Sequence, residues 1–316
     1  MAADRTQFVF RIVVVAAIVA AFGQVTLGGV VRVSESGLGC PDWPLCHGQL
    51  IPPFKLTTLI EYSHRLSASV LSLLVLATAI IAWINYRHRT WVLIPSLLGL
   101  VLVILAAALG GATVLTELAW WFVLIHLGVA EMLVASLVVA AVAGWHSENS
   151  LGSVAYDNLS ISRLETLSIL TVLGVFAVIL SGSYMVGYGA GSSCATWPLC
   201  RGSLMPEGTA YAIHMGHRFV VTIVGVLLVV TSVIAWSHRS TIPSVAWSGA
   251  ILLFVFAAQI VLGAVIVWAE FTPETKAIHL SVATLVWVAL IFMSSLVYLP
   301  RLYSTERNFT TGRRGA

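Results

Sequence analysis

Four histidines stand in a register that suits metal chemistry. His64 and His126 are 62 residues apart, and so are His217 and His279. Each lies in or at the end of a long apolar run, where an ionisable side chain is costly and marks function by default. All four fall within about two turns of the same end of their runs, so they share one depth. A lone membrane histidine serves most simply as an interhelical hydrogen-bonding group. Two neutral imidazoles facing each other across a helix bundle can instead hold a haem iron axially. Duplication in register favours haem iron, with His64 and His126 as one ligand pair and His217 and His279 as the other. Zinc or copper would need further Cys, His or carboxylate ligands nearby, and only Glu61 and His214 offer one.

The neighbours of these histidines add chemistry. Glu61 is three residues before His64, on the same helix face. A carboxylate there could transfer protons or stabilise positive charge on a reacting carbon, or it could simply cap the start of its helix. His214 holds the corresponding place before His217; it could bind a propionate or compete as a ligand, but it cannot do the work of a carboxylate. This asymmetry suggests that one half does chemistry and the other carries electrons. Arg65 and Arg218 follow the two histidines, and each could pair with a propionate or snorkel at the membrane surface. Glu131, five residues past His126, matches Thr284 in the second half. It reads as a protonated, hydrogen-bonding carboxyl, with a proton path as the sharper alternative. Gln24 and Gln259 read as packing polar groups. Gly28, Gly29, Gly110, Gly111 and Gly263 let helices or a flat macrocycle approach closely.

The elements that must position these residues are membrane helices. The chain is 59% hydrophobic and 9% charged, with a mean hydropathy of +0.97, so its natural solvent is a bilayer. Apolar runs at about 8–31, 61–84, 91–115, 120–143, 164–186, 212–236, 244–269 and 277–299 each approach the ~20 residues needed to span. None alternates as a membrane β-strand would. The fold expected is an all-α integral membrane protein with eight transmembrane helices. With the N-terminus inside, ten arginines lie in cytoplasmic segments, while Arg32, Lys55, Arg201 and Lys276 lie in outer loops. Both termini are therefore expected in the cytoplasm. The net charge of +3 is this inside bias together with a basic tail, not a nucleic-acid footprint. The first run is too long for a signal-peptide core and is read as retained.

The eight helices form two halves. "CPDWPLCHG" at Cys40 returns as "CATWPLCRG" at Cys194, 154 residues on. An offset of 153 aligns "EYSHR" with "HMGHR", Gly110 with Gly263 and Trp83 with Trp236. Four helices separate equivalent positions, so the halves are tandem parallel four-helix bundles related by an axis along the membrane normal. The expected organisation is an N-terminal half over 1–145, a cytoplasmic linker over 146–162, a C-terminal half over 163–300 and a polar, disordered cytoplasmic tail over 301–316. All four cysteines fall in outer loops, in an oxidising compartment. Of three possible connectivities, local pairing within each short loop is the simplest. Such pairs could be structural staples or redox-active, and C-x₅-C spacing does not suit zinc.

Together "GGVVRVSESGLGCPDWPLCHG" (28–48), "EYSHR" (61–65), the His126 helix, "CATWPLCRG" (194–202), "HMGHR" (214–218) and the His279 helix resemble the haem A synthase family of bacteria and mitochondria. One departure is "SESGLGC", where a Thr-Gly-Ser-Gly-like run is expected. The resemblance implies oxidation of a methyl group of haem O to a formyl group, giving haem A for terminal oxidases. By position, His64 and His126 would hold the substrate haem O, with Glu61 beside it as the catalytic carboxylate. His217 and His279 would ligate a haem b cofactor. The resemblance also implies disulfides Cys40–Cys46 and Cys194–Cys200, with a functional role open to the first. The chemistry expected is two successive hydroxylations and dehydration of the gem-diol, with a carbocation-like route assisted by Glu61 as a variant. Implied partners are a haem O synthase, terminal-oxidase assembly, a membrane electron donor or acceptor such as a quinone, and further copies of the chain. The implied location is the cell membrane. The competing functions are a b-type membrane cytochrome or quinol oxidoreductase, which would have two equivalent haems, and a haem carrier or chaperone, which would release haem unchanged. A membrane thiol oxidoreductase leaves the aligned histidines unexplained.

Overall fold

A backbone inside hydrocarbon must satisfy its own N–H and C=O groups, and helices do so within one segment. The computed structural model describes residues 2–145 and 158–312. Among the described residues the regular elements are helices: α1 (Ala2–Val33), α2 (Leu56–Asn85), α3 (Thr90–Leu115), α4 (Trp120–Trp145), α5 (Asn158–Gly187), α6 (Thr209–Ser237), α7 (Pro243–Trp268) and α8 (Pro273–Gly312). All eight are long and apolar enough to cross a membrane. The chain is a multi-pass integral membrane protein.

The helices outrun the apolar segments that announce them, because polar residues continue the hydrogen-bonded spiral beyond the hydrocarbon. Thus α2 begins at Leu56 and α1 runs to Val33, which puts Arg32 in the last turn of a helix and not in a loop. The tail expected to be disordered from 301 is helical to Gly312. No glycine or proline stands between 301 and 311 to stop it. Of the linker expected over 146–162, residues 146–157 lie outside the described residues and 158–162 belong to α5.

Each half closes on itself. In the first, α1 packs on α2, α2 on α3, α3 on α4 and α4 on α1; α5 to α8 repeat the ring. The halves meet through α4 against α8, flanked by α1 against α8 and α4 against α5. A two-fold rotation that exchanges the halves maps each flanking contact onto the other and leaves α4 against α8 in place. Glu131 and Thr284 meet there, both fully buried, with Thr284 Oγ1 donating to Glu131 Oε1 at 2.7 Å. Their separation of 153 is the repeat offset, so equivalent positions touch across the axis. Trp287 Nε1 donates to the Glu131 carbonyl at 2.8 Å. Glu131 is thus an interhelical hydrogen-bonding carboxyl. One apolar core, including Phe10, Leu71, Leu137, Leu228 and Leu290, runs through both halves.

The duplication reaches the backbone of the loops. Glu117 and Leu118 turn α3 into α4 with φ of 52° and 64°; Glu270 and Phe271 turn α7 into α8 with 53° and 61°. His47 and Gly48 adopt positive φ, as do Arg201 and Gly202. Cys46 bridges Gln49 and Cys200 bridges Ser203, each pair antiparallel. Trp43–Pro44 and Trp197–Pro198 are both cis.

Candidate functional site

Every one of the four register histidines lies against a glycine of the neighbouring helix. A Cβ on Gly28 of α1 would come within 3.2 Å of His64 Cε1, and one on Gly182 of α5 within 3.2 Å of His217 Cε1. Gly110 of α3 stands in the same relation to His126 at 3.4 Å, and Gly263 of α7 to His279 at 3.5 Å. These glycines leave room for each ring to approach the neighbouring helix by its Cε1 edge, in the interior of its own half. His64 and His126 lie within electrostatic reach of each other, as do His217 and His279. The structure therefore groups them as the sequence pairs them, one couple per half.

The ring nitrogens have distinct surroundings. Ser181 Oγ donates to Val178 O at 2.8 Å and lies 2.7 Å from His217 Nδ1. The hydroxyl proton is committed, so the serine accepts from Nδ1–H and leaves the Nε2 lone pair for a metal. His64 is met by Gln24 Nε2, 3.1 Å from Nδ1 and 3.2 Å from Nε2; the same amide donates to His64 O at 3.1 Å. Ser67 donates to Gln24 Oε1 and fixes that amide. In the second half Gln259 Nε2 lies 3.2 Å from His279 Nε2 and donates to His279 O at 3.1 Å. Gln24 and Gln259, read from sequence as packing groups, both hold site histidines. Among the described residues His279 Nδ1 is buried without a hydrogen-bond partner, and the buried His126 ring interacts with the Ala106 backbone. An orphaned imidazole nitrogen inside a bundle, with glycines where the rings approach the neighbouring helices, fits a planar tetrapyrrole held through its iron.

Glu61 is buried at the start of α2, and its Oε1 accepts from Arg65 Nε at 3.0 Å. The guanidinium continues into the cysteine loop, donating to Asp42 O, Leu45 O and Cys40 O at 2.6, 2.8 and 2.9 Å. Four of its five N–H groups thus have protein acceptors. Arg218 does the same in the second half, donating to Thr196 O, Pro198 O and Cys194 O at 2.9, 3.0 and 3.5 Å. The two arginines clamp the loops, a role that neither propionate binding nor snorkelling anticipates. His214 departs further from expectation. Its Nδ1 donates to Ala190 O at 3.0 Å and its Nε2 accepts from Arg218 Nη2 at 3.2 Å. Both nitrogens are taken, so His214 has no atom left for a propionate or an iron. It replaces the Glu61–Arg65 ion pair with a neutral hydrogen bond to the equivalent arginine.

Cys40 is bonded to Cys46 and Cys194 to Cys200, with Cα–Cα distances of 4.7 and 5.0 Å. Asp42 closes the first loop by accepting from His47 N at 2.6 Å and Gly48 N at 2.7 Å. Its carboxyl is held below the usual carboxylate range, chiefly by the Gly48 N–H. At the matching place Thr196 Oγ1 accepts from Arg201 N at 2.9 Å. Trp43 lies on α3 at Gly111, beside the glycine that backs His126; a Cβ there would be 2.8 Å from its Cδ2. In the second half Ala264 replaces that glycine and Trp197 packs on Trp268 instead.

Several of these residues escape a sequence reading. Gly182 matches Gly28 only at the loop offset of 154, not at the 153 that aligns the later helices. Carrying the loop offset back into α5 finds it. Ser181 and Ser67 carry no signal of their own among the many serines of membrane helices.

Comparison with known proteins covers the span that holds these residues. The family model described as cytochrome oxidase assembly protein, COX15-CtaA, matches residues 11–291, from α1 into α8. A heme A synthase of Exiguobacterium sp. is 29% identical, over 86% of this chain and 88% of its own. The heme A synthase of Alkalihalophilus pseudofirmus is 26% identical over 86% and 92%, and that of Geobacillus thermodenitrificans 26% over 91% and 90%. With both histidine couples and both cysteine loops inside the matched span, the chain belongs to the COX15-CtaA family of cytochrome oxidase assembly proteins, the haem A synthase family.

Proposed function

We propose that this protein is a haem A synthase that oxidises a methyl substituent of haem O to a formyl group. The observation that carries the reading is the asymmetry between two otherwise matched sites. Both halves back a histidine couple with glycines, but only the first sets a carboxylate, Glu61, one turn from its α2 histidine. His64 and His126 would hold the substrate haem O. His217 and His279 would hold haem b, which supplies one-electron transfer when bound. The names of the matched relatives support haem A formation as the product chemistry.

In this reading Glu61 takes protons from the reacting substituent and stabilises positive charge on its carbon. Arg65 holds that carboxylate in place and ties it to the cysteine loop, so the loop and the acid–base group move together. Ser181 keeps His217 in the tautomer that offers Nε2. Each of two hydroxylations removes two electrons, passed on to a quinone-type acceptor, and adds the oxygen of one water to the cationic carbon with release of protons. Loss of one water from the gem-diol then gives the aldehyde. The cysteine loops face outward and the termini lie in the cytoplasm of the cell membrane, following the arginine bias. A haem O synthase, terminal-oxidase assembly, a quinone-type electron partner and self-association complete the proposal.

The test is expression of the intact chain with a source of haem O, followed by pigment extraction and chromatography. Haem A that appears only with the intact chain supports a synthase. Pigment recovered unaltered supports a b-type cytochrome or a haem carrier instead.

A further inference from the structure

Arg32 is a half-buried arginine inside a membrane span with no partner. It sits in the last turn of α1, and among the described residues its guanidinium has no hydrogen-bond or charge partner, although its backbone carbonyl accepts from Glu35 N at 3.3 Å. By contrast, the arginines beside His64 and His217 are engaged: Arg65 donates to the first cysteine loop and Arg218 to the second. A cation partly removed from water and left unpaired is destabilising, so its retention calls for an anion that arrives from outside the chain.

Capping does not account for it. A cation at a helix C-terminus can answer the last carbonyls, but here those of Val30, Val31 and Arg32 already have donors. Ser34 N and Oγ both donate to Val30 O, and Ser36 N donates to Val31 O. Arg32 is also unpaired with Glu61, whose carboxylate is held by Arg65.

The direction of the side chain follows from helix geometry. Gln24 and Gly28 of α1 both touch His64, and Arg32 is the next residue on that stripe, one further turn toward the cysteine loop. Long side chains on a helix lean back over the preceding turn, so Arg32 belongs to the α1 stripe that meets the His64 ring. The repeat has Val186 at the matching place, so the charge belongs to the first half alone.

We infer that Arg32 is an anion-binding residue of the first-half site and takes a carboxylate of the tetrapyrrole held by His64 and His126. This deepens the proposed function and rests on it. A planar guanidinium with all its N–H groups free can bind a propionate through two parallel hydrogen bonds. The contact selects for the free acid and fixes which edge of the macrocycle faces the cysteine loop.

The test uses the full chain in detergent and two ligands, haem O and its neutral dimethyl ester, titrated by absorbance. The wild type is expected to bind the free acid about tenfold more tightly than the ester, the scale of one charge-assisted hydrogen bond. Arg32→Gln should bring that ratio to about one, and Arg32→Lys should retain part of it. The haem carried by His217 and His279 reports folding and should be unchanged in both variants. A wild-type ratio near one, or an unchanged ratio in Arg32→Gln, overturns the inference; the latter is what a lipid phosphate on Arg32 would give. Uptake that is indifferent to His64→Ala instead overturns the site reading beneath it.

Discussion

Gly182 of α5 leaves 3.2 Å between the place of a Cβ and Cε1 of His217, while Gly263 of α7 leaves 3.5 Å to His279. The first distance is tighter than an ordinary carbon contact and the second is not. Gly182→Ala should therefore displace the His217 ring and disturb its bond to Ser181, costing about 1–3 kcal/mol of overpacking. Gly263→Ala should be nearly silent. Thermal unfolding of the two variants, read beside the spectrum of the haem proposed for the second half, checks the contrast; equal effects would count against a cradle at Gly182.

Glu61 binds Arg65, the proposed function adds proton transfer, and two substitutions separate these parts. Glu61→Gln keeps an acceptor for Arg65 Nε and removes the ionisable oxygen. Haem A yield should fall by on the order of a hundredfold or more, the scale of general acid–base catalysis, with stability little changed. Glu61→Ala should lose the yield and also loosen the first cysteine loop. Full pigment yield in Glu61→Gln would remove the carboxylate from the chemistry.

Acid should open one cysteine loop and spare the other. The folded pKa of Asp42 lies below its unfolded value because the Gly48 and His47 N–H groups favour the carboxylate. Its contribution to loop order is therefore complete above the unfolded value, and it is lost as pH falls through the lowered folded value. Thr196, which closes the second loop, does not titrate. Reduction of Cys40–Cys46 by a phosphine should accelerate below about pH 4 relative to Cys194–Cys200. Asp42→Asn should show that acceleration at neutral pH. Parallel acid dependence of the two disulfides would assign loop closure elsewhere.

Across the axis, Glu131 and Thr284 should be energetically coupled. Glu131→Ala and Thr284→Ala are each expected to lower stability, and their double-mutant cycle should give a coupling of about 0.5–1.5 kcal/mol. Glu131→Gln, which keeps an acceptor for Thr284, should be mild. Thermal unfolding in detergent measures all four proteins, and strict additivity would show that the bond contributes nothing.

Much of this architecture was legible in the sequence because bilayer thickness and duplication are strong constraints. Twenty apolar residues have few alternatives to a spanning helix, and a motif written twice exposes its register. The histidine couples could be read for the same reason. What lay hidden was the identity of each partner. Nothing in the spacing of Gln24 and His64, on helices separated by a long loop, announces their contact; in the second half the glutamine instead serves His279, from α7. Arg65 and Arg218 were legible as important cations, but only the folded loop reveals that its carbonyls converge on them. His214 looked like a spare ligand until Ala190 O and Arg218 occupied both its nitrogens.

The contact of Glu131 with Thr284 also bears on how such a protein can be assembled from parts. A residue on a two-fold axis always faces its own counterpart. Were the halves separate and identical, a glutamate at this position would meet a glutamate, and two carboxyls would share one dry pocket. Joined in a single polypeptide, the positions are free to differ, so an acceptor can face a donor. Two copies of the first half therefore carry a built-in mismatch at their centre, and only the unlike halves complete the pairing. The same freedom lets His214 stand where the first half has Glu61, and it makes the seam between the halves directional.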